Sequence, residues 1–356
     1  MLKKLLFIII VLYTTNYNAQ EELLFSTDDI TRIFKIDNFL YYGIGDTSSL
    51  NFPDGSIHFI DLNDPSFTPQ LLTGSLNNPI GMDYKDGHLY VAEAGSNKII
   101  KLDLSQTNPM PIDVFQIGVR PNDLLFVGDI LYFSVPNSNV IASYDTTSSG
   151  AVPVAVFSTP APFGIEFKDG FMYVSNTLID AIYRKNIMDE NSELELVIDD
   201  ITESNLDHPL NIEFFGNDLY IASRNSDKIF KVDVSSPPFV AEEILSFNGV
   251  SDLLINDDYL YYCNTAFIYR IELASLSIDE FSILKPKLYP NPVEDVLNVS
   301  NIKSSQIYEI YDATGRKIKQ GVFNQNDNKI LMNNLSSGFY VINFKEINHT
   351  FKFFKQ

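Results

Sequence analysis

A repeated unit limits what this sequence can fold into more than any other feature, and residues 79–104 (PIGMDYKDGHLYVAEAGSNKIIKLDL) show it most completely. The unit begins with a Pro-led apolar stretch and turns at Asp86-Gly87 into Leu89-Tyr90-Val91. It turns again at Ser96-Asn97 and closes on a third stretch ending at Asp103. Further copies begin at Pro121, Pro162 and Pro209, with looser ones at Ile30 and Val250. The tyrosine of the second stretch serves as a ruler: Tyr41, Tyr90, Tyr132, Tyr173, Tyr220 and Tyr261, at intervals of 49, 42, 41, 47 and 41. Four copies place proline eleven residues before the ruler, and Asp103, Asp145, Asn186 and Asp233 stand thirteen after it.

Short apolar stretches bounded by turn formers have the length and edges of β-strands. Proline is tolerated at the first residue of a strand, where its missing N–H breaks no ladder. A period in the low forties with four strands per unit predicts the blades of a propeller, here six of them. Fourth strands are expected at 70–73, 112–117, 152–157, 195–198, 241–246 and 278–283. Residues 22–26 form a rival for the last place. The N-terminal strand is the favoured closure, since pairing it into the final blade covers an exposed edge. The first unit carries an insertion at 45–55, expected as a long loop.

Composition agrees with an all-β chain: 13% of residues are aromatic, none is Trp, and only 20% are charged. Cys263 stands alone, so no disulfide forms within the chain. Lys3, Lys4, the apolar run 5–13 and Ala19 have the order of a secretory signal, expected to span 1–19. The run falls short of the roughly 20 residues that cross a bilayer. The net charge of −21 is uneven: residues 285–356 carry ten basic and six acidic residues, while 21–284 carry thirteen and forty. Such an acidic body repels nucleic-acid backbones and anionic membranes, and it permits a cationic partner.

The motifs Pro-x-Gly-(Ile/Met), Asp-Gly-x-Leu-Tyr-Val and Asn-Lys-Ile-x-Lys-x-Asp, as they stand at 79–103, resemble the NHL-repeat and TolB-like six-bladed propellers. Lactonases of the senescence marker type belong to that group. The resemblance covers 30–284. It implies architecture, because members are enzymes, scaffolds and ligand binders alike.

Residues 285–356 change character. They open on Tyr289-Pro290-Asn291-Pro292 and continue through Tyr311-Asp312 to Gly315-Arg316. A Leu335-Ser-Ser-Gly338-Phe-Tyr340 strand signal follows, and the ending from Lys352 is basic and apolar. Alternating apolar residues predict a small antiparallel β-sandwich. These four elements, in this order, resemble the type A C-terminal sorting domain of the type IX secretion system of Bacteroidota. The resemblance implies Sec transport, then passage through the outer membrane with the secretion machinery as partner. The chain would then be anchored at the cell surface or released. A small immunoglobulin-like binding module is the alternative.

In a propeller the innermost strand lines a central channel, with alternate residues facing in. Its third position reads Arg32, Gly81, Asp123, Gly164, Asn211, Asp252, and its fifth reads Phe34, Asp83, Leu125, Glu166, Glu213, Leu254. Asn122, Asp123, Glu166, Asn211, Glu213 and Asp252 are therefore candidates for a channel or metal site, and oxygen ligands in such number suit Ca²⁺. The alternative is that these groups are hydrated or bond to neighbouring strands. Arg120-Pro-Asn-Asp123 resembles a stretch of the senescence marker lactonases whose Asn belongs to the metal site. Their Pro-Asn-Gly reads Pro162-Phe163-Gly164 here, and their ligating Glu has no match.

There is no HExxH, Gly-x-Ser-x-Gly or phosphate-binding glycine loop. Of the four histidines, His208 precedes a strand-opening proline and is expected at the channel mouth, while His88 is expected to face solvent. Cys263 is expected to be a small buried thiol. Two functions remain. The first is a non-enzymatic propeller that binds a protein, glycan or small molecule through loop 45–55 and the loops after Pro136 and Ser223. The second is a metal-dependent hydrolase or lactonase acting through Asn122, Asp123, Glu166, Glu213 and Asp252. The second needs at least three oxygens within about 2.3–2.6 Å of one point.

Overall fold

Every ruler tyrosine lies opposite the fifth position of its own repeat unit, counted from the residue that opens the unit. The pairs are Tyr41 with Phe34, Tyr90 with Asp83, Tyr132 with Leu125, Tyr173 with Glu166, Tyr220 with Glu213, and Tyr261 with Leu254. The structure, a computed structural model, describes residues 21–46, 53–200, 205–256, 258–276, 287–300, 306–312, 315–323, 329–344 and 349–356. The chain divides into two compact units, Met1–Leu276 and Ser277–Gln356.

Among the described residues, the first unit contains six four-stranded antiparallel sheets. The innermost strands are Ile30–Ile36, Pro79–Lys85, Leu124–Val127, Pro162–Lys168, Pro209–Phe215 and Asp252–Asn256. Each packs against the next, and the last packs against the first, so the sheets close into a propeller. Outer strands Gln70–Leu76, Ile112–Gln116, Val154–Ser158, Leu194–Asp199 and Ala241–Ser246 fall where expected. The third begins two residues late, after Pro153, which has no N–H for the ladder. In the sixth sheet the fourth place belongs to Glu22–Ser26, paired antiparallel with Phe267–Glu272. The rival segment 278–283 lies outside the described residues, as do residues 47–52 of the expected first-blade loop. Gly55, at that loop's far end, opens strand Gly55–Asp61.

One irregularity recurs around the ring. Between third and fourth strands the register slips after Ile57, Ile99, Ile141, Ile182 and Ile229, all fully buried. In the closing sheet the slip falls between Leu23 and Phe25, opposite Ile268. Such bulges sharpen local twist, which suits sheets fanned about an axis.

The core lies between successive sheets. Tyr90 of the second blade packs edge-on against Phe126 of the third, and Tyr173 of the fourth against Phe214 of the fifth, each with ring centroids 4.9 Å apart. This explains why the unit repeats a tyrosine. A large ring bridges two blades while its cross-strand partner reaches the channel.

In the second unit, strands Lys287–Tyr289, Val296–Ser300 and Lys329–Leu331 form one sheet. Strands Lys317–Phe323, Gln306–Asp312, Gly338–Phe344 and His349–Lys355 form another, in that order. Leu297, Val299, Ile310, Ile342, Phe344 and Phe353 are buried in one shared core, which makes the unit a β-sandwich. Asn291 ties the opening turn to the last strand: its Oδ1 accepts the Phe354 N–H at 2.9 Å, and its Nδ2 donates to Lys352 O at 3.3 Å. Asp312 accepts the N–H and the Nε–H of Arg316, both at 3.1 Å, across the turn that holds Gly315. Gly338, at φ +157, opens the strand that ends at Phe344, and Tyr340 donates from its hydroxyl to Ser336 O at 3.0 Å. Among the described residues no helix is long and apolar enough to cross a membrane.

Candidate functional site

At the third position of the repeat unit, neighbouring blades approach closely. A Cβ on Gly81 would sit 2.1 Å from Asn122 O, and one on Gly164 would sit 2.5 Å from Leu210 O. Only glycine fits against a neighbouring backbone at that range, which is the physical content of the Pro-x-Gly motif. The four remaining third-position residues join across the channel. Arg32 pairs with Asp123, and its Nη1 lies 3.5 Å from Asp252 Oδ1. Asn211 donates to Asp252 and, at 2.8 Å, to Leu253 O. Both carboxylates are fully buried.

Three acids of the innermost stretches, Asp83, Asp123 and Asp252, also grip the following blade. Asp83 accepts the Phe126 N–H at 2.5 Å, Asp123 the Ile165 N–H at 2.9 Å, and Asp252 the Ile33 N–H at 2.6 Å. Hydroxyls repeat the device. Thr31 donates to Pro79 O at 2.5 Å, Ser134 to Phe163 O at 2.6 Å and Ser175 to Leu210 O at 2.6 Å.

Beyond this ring the channel opens into a cavity of about 180 Å³, which all six fifth-position residues line together with Arg32, Lys35 and Asn211. Burial pushes Asp83 up to about 6, against the pull of the Phe126 and Tyr84 N–H groups. Burial likewise raises Asp252 to about 6, with Arg32 opposing. Glu213 hydrogen-bonds Glu166 and is pushed up to about 8, first by burial and then by Asp252. Burial and the adjacent Glu213 hold Glu166 well above the usual carboxylate range. Two carboxyls so placed hold a shared proton at neutral pH, because both cannot ionise side by side. Burial would lower the Arg32 guanidinium, but Asp123 and Asp252 outweigh it and keep its pKa raised.

The sequence-based candidates therefore separate into two places. Glu166, Asn211 and Glu213 line the channel, with Asp123 and Asp252 fully buried at the third-position ring. Asn122 lines the opposite mouth and donates to Phe163 O at 3.4 Å. Among the described residues no group of three or more His, Cys, Asp or Glu side chains could hold a metal ion. The expected Ca²⁺ cluster is replaced by an ion pair: the Arg32 guanidinium takes the place between Asp123 and Asp252, and their other oxygens accept backbone N–H groups. These donors do not fit a divalent cation.

His58 stacks on Tyr42 with centroids 5.3 Å apart and contacts Ser56 Oγ at 2.9 Å. His88 Nδ1 contacts Asp86 O at 2.9 Å, in its own turn. Cys263 is buried beside Ser251, and burial raises its thiol pKa.

The opposite mouth holds a second cavity of about 140 Å³, lined by Arg120, His208 and Arg224 together with Arg32, Thr31, Ile80, Asn122, Phe163, Leu210 and Ser251. His208 thus stands where its place before Pro209 put it, and Arg224 follows Ser223 in a loop already expected to make contacts. Sequence reasoning did not join Arg120 to them. The available signal was its position directly before Pro121, equivalent to that of His208 before Pro209.

Residues 287–355 match the family model described as "Secretion system C-terminal sorting domain". No curated protein matches the chain. Among solved structures, the chain is similar to a gluconolactonase from Xanthomonas campestris (15% identity, 71% of this chain and 89% of that one, TM-score 0.56). It is also similar to streptogramin B lyase (12%, 72% and 98%, TM-score 0.51) and to a chain of a nidogen/laminin complex (13%, 79% and 94%, TM-score 0.51). At these identities the likeness is one of fold, and it supports the propeller architecture. The C-terminal match marks the protein for export by the type IX secretion system, to the cell surface or beyond.

Proposed function

We propose that this protein is a non-catalytic binding propeller, delivered outside the cell by its sorting domain and engaging its ligand at a channel mouth. The observation that carries this reading is the Arg32–Asp123–Asp252 bridge: the acids that a metal-dependent hydrolase would present to its cation are engaged inside the fold. They serve as inter-blade fasteners, a structural use of polar groups that are fully buried and hydrogen-bonded. The loop after Ser223 supplies part of the mouth. The gluconolactonase and lyase likenesses are equally compatible with a retired or altered active site, since one fold hosts many functions.

Thermal unfolding of the signal-free chain in EDTA and in excess Ca²⁺ tests the reading. The expected result is one midpoint in both buffers. A cation held only by the folded state at 100 times its Kd adds about 2.7 kcal/mol, a clear rise. A rise abolished by Asp123→Asn would restore the metal-dependent hydrolase.

A further inference from the structure

The mouth at which the innermost strands begin carries a charge opposite to that of the body around it. Residues 21–284 hold forty acidic and thirteen basic residues, only five of them arginine. Three of those arginines, Arg32, Arg120 and Arg224, line this one cavity with His208, and no Asp or Glu lines it. Arg32 is neutralised by Asp123 and Asp252. For Arg120 and Arg224 no ion pair is found among the described residues, and Arg120 Nε is buried with no hydrogen-bond partner. The nearest acids along the chain are engaged: Asp123 pairs with Arg32, Asp207 accepts Asn225 Nδ2 at 3.0 Å, and Asp227 accepts the Gly249 N–H at 2.7 Å.

Like charges gathered without counter-ions oppose one another, and burial of a guanidinium disfavours its charged form. The Arg120 pKa is accordingly lowered by burial. A buried N–H with no partner in the fold calls for a partner from outside it. The remaining wall is part apolar, from Ile80, Phe163 and Leu210, and part hydroxyl and amide, from Thr31, Ser251 and Asn122. Guanidinium forks match planar or tetrahedral oxyanions, and an apolar wall matches a ring or short chain attached to one.

We propose that this mouth binds a small molecule bearing a compact oxyanion, a carboxylate or a phosphate, with Arg120 and Arg224 clasping the anion, His208 beside them and its apolar body against Phe163 and Ile80. The proposal rests on the binding-module reading and names the ligand class that reading leaves open.

Calorimetric titration of the signal-free chain with benzoate, phenyl phosphate and the neutral benzamide tests it. One or both anions bind, and benzamide does not. Binding weakens as salt rises from 20 to 200 mM, as it must for a charge held near the surface. Arg120→Gln and Arg224→Gln each weaken it at least tenfold. Arg224 sits outside the strand ladders, so its variant keeps the wild-type melting midpoint and guards against loss of fold in the Arg120 variant. Preference for benzoate or for phenyl phosphate identifies the anion. The proposal is overturned if neither anion binds, if benzamide binds equally well, or if the double variant binds as tightly as wild type. Stabilisation by Ca²⁺ would instead overturn the binding-module reading itself, so the two failures are distinguishable.

Discussion

The Asp252 carboxylate accepts the Ile33 N–H at 2.6 Å and so joins residues 219 positions apart at the seam between the last blade and the first. Strand Glu22–Ser26 crosses the same junction from the other side, and Glu22 pairs with Arg270 at 2.6 Å. The N-terminal segment is thus fastened into the ring at both an inner and an outer strand. Removing residues 21–26 exposes the edge of Phe267–Glu272. The trimmed chain is expected to melt earlier and to scatter light on heating. An unchanged scanning-calorimetry profile would show that this strand does not close the ring.

Arg32 is expected to be the most sensitive side chain of the channel. Arg32→Met strands two fully buried carboxylates, and breaking a buried pair in this way costs about 3–5 kcal/mol. Neutralising the acids as well, with Asp123→Asn and Asp252→Asn, is expected to return much of that loss. Urea unfolding of the single and triple variants gives the comparison.

Stability is also expected to depend on pH in the direction set by the raised carboxyls. Glu213 binds its proton more tightly in the folded chain, at about 8 against an ordinary 4.5, as do Asp83 and Asp252 at about 6 and Glu166 above its usual range. Their contribution is complete below the unfolded values and is lost as pH rises through the folded ones. The melting midpoint therefore falls between about pH 5 and pH 8, and Glu213→Gln flattens the upper part of that fall. A midpoint rising across this window would show that the cluster is not protonated in the folded state.

Two glycines separate close approach from mere flexibility. Gly81→Ala drives a Cβ to 2.1 Å from Asn122 O, whereas a Cβ on Gly74 meets nothing within 4 Å. The first substitution is expected to cost about 1–3 kcal/mol or to prevent folding, since overpacking against backbone finds no relief. Gly74→Ala is expected to be neutral or stabilising by up to about 1 kcal/mol, through the unfolded state. Chemical denaturation of both variants decides between them.

In the sorting unit, Asn291→Ala removes two bonds to the final strand. Leaving the Phe354 N–H without its partner is expected to cost about 1–3 kcal/mol of that unit's stability. In cells, less protein should reach the medium or surface, read by immunoblotting of fractions. Export equal to wild type would separate this asparagine from sorting.

The blades, their order and the sorting unit were legible in the chain because they rest on local signals. Alternating strands, turn residues at fixed offsets and the tyrosine ruler are set by neighbours a few residues away. The same periodicity correctly aligned all six fifth-position residues on one channel, since strand geometry carries alternation faithfully over five residues. The use of that channel was a matter of tertiary structure. Nothing local says that Arg32 reaches Asp123 across 91 residues, or that its guanidinium lies between two buried acids. Nor does periodicity divide Asn122 from Glu166, or bring Arg120, His208 and Arg224 of different turns to one mouth. Those groupings depend on how closely the ring draws its innermost strands together, and that distance is set by side chains of different blades meeting across the axis.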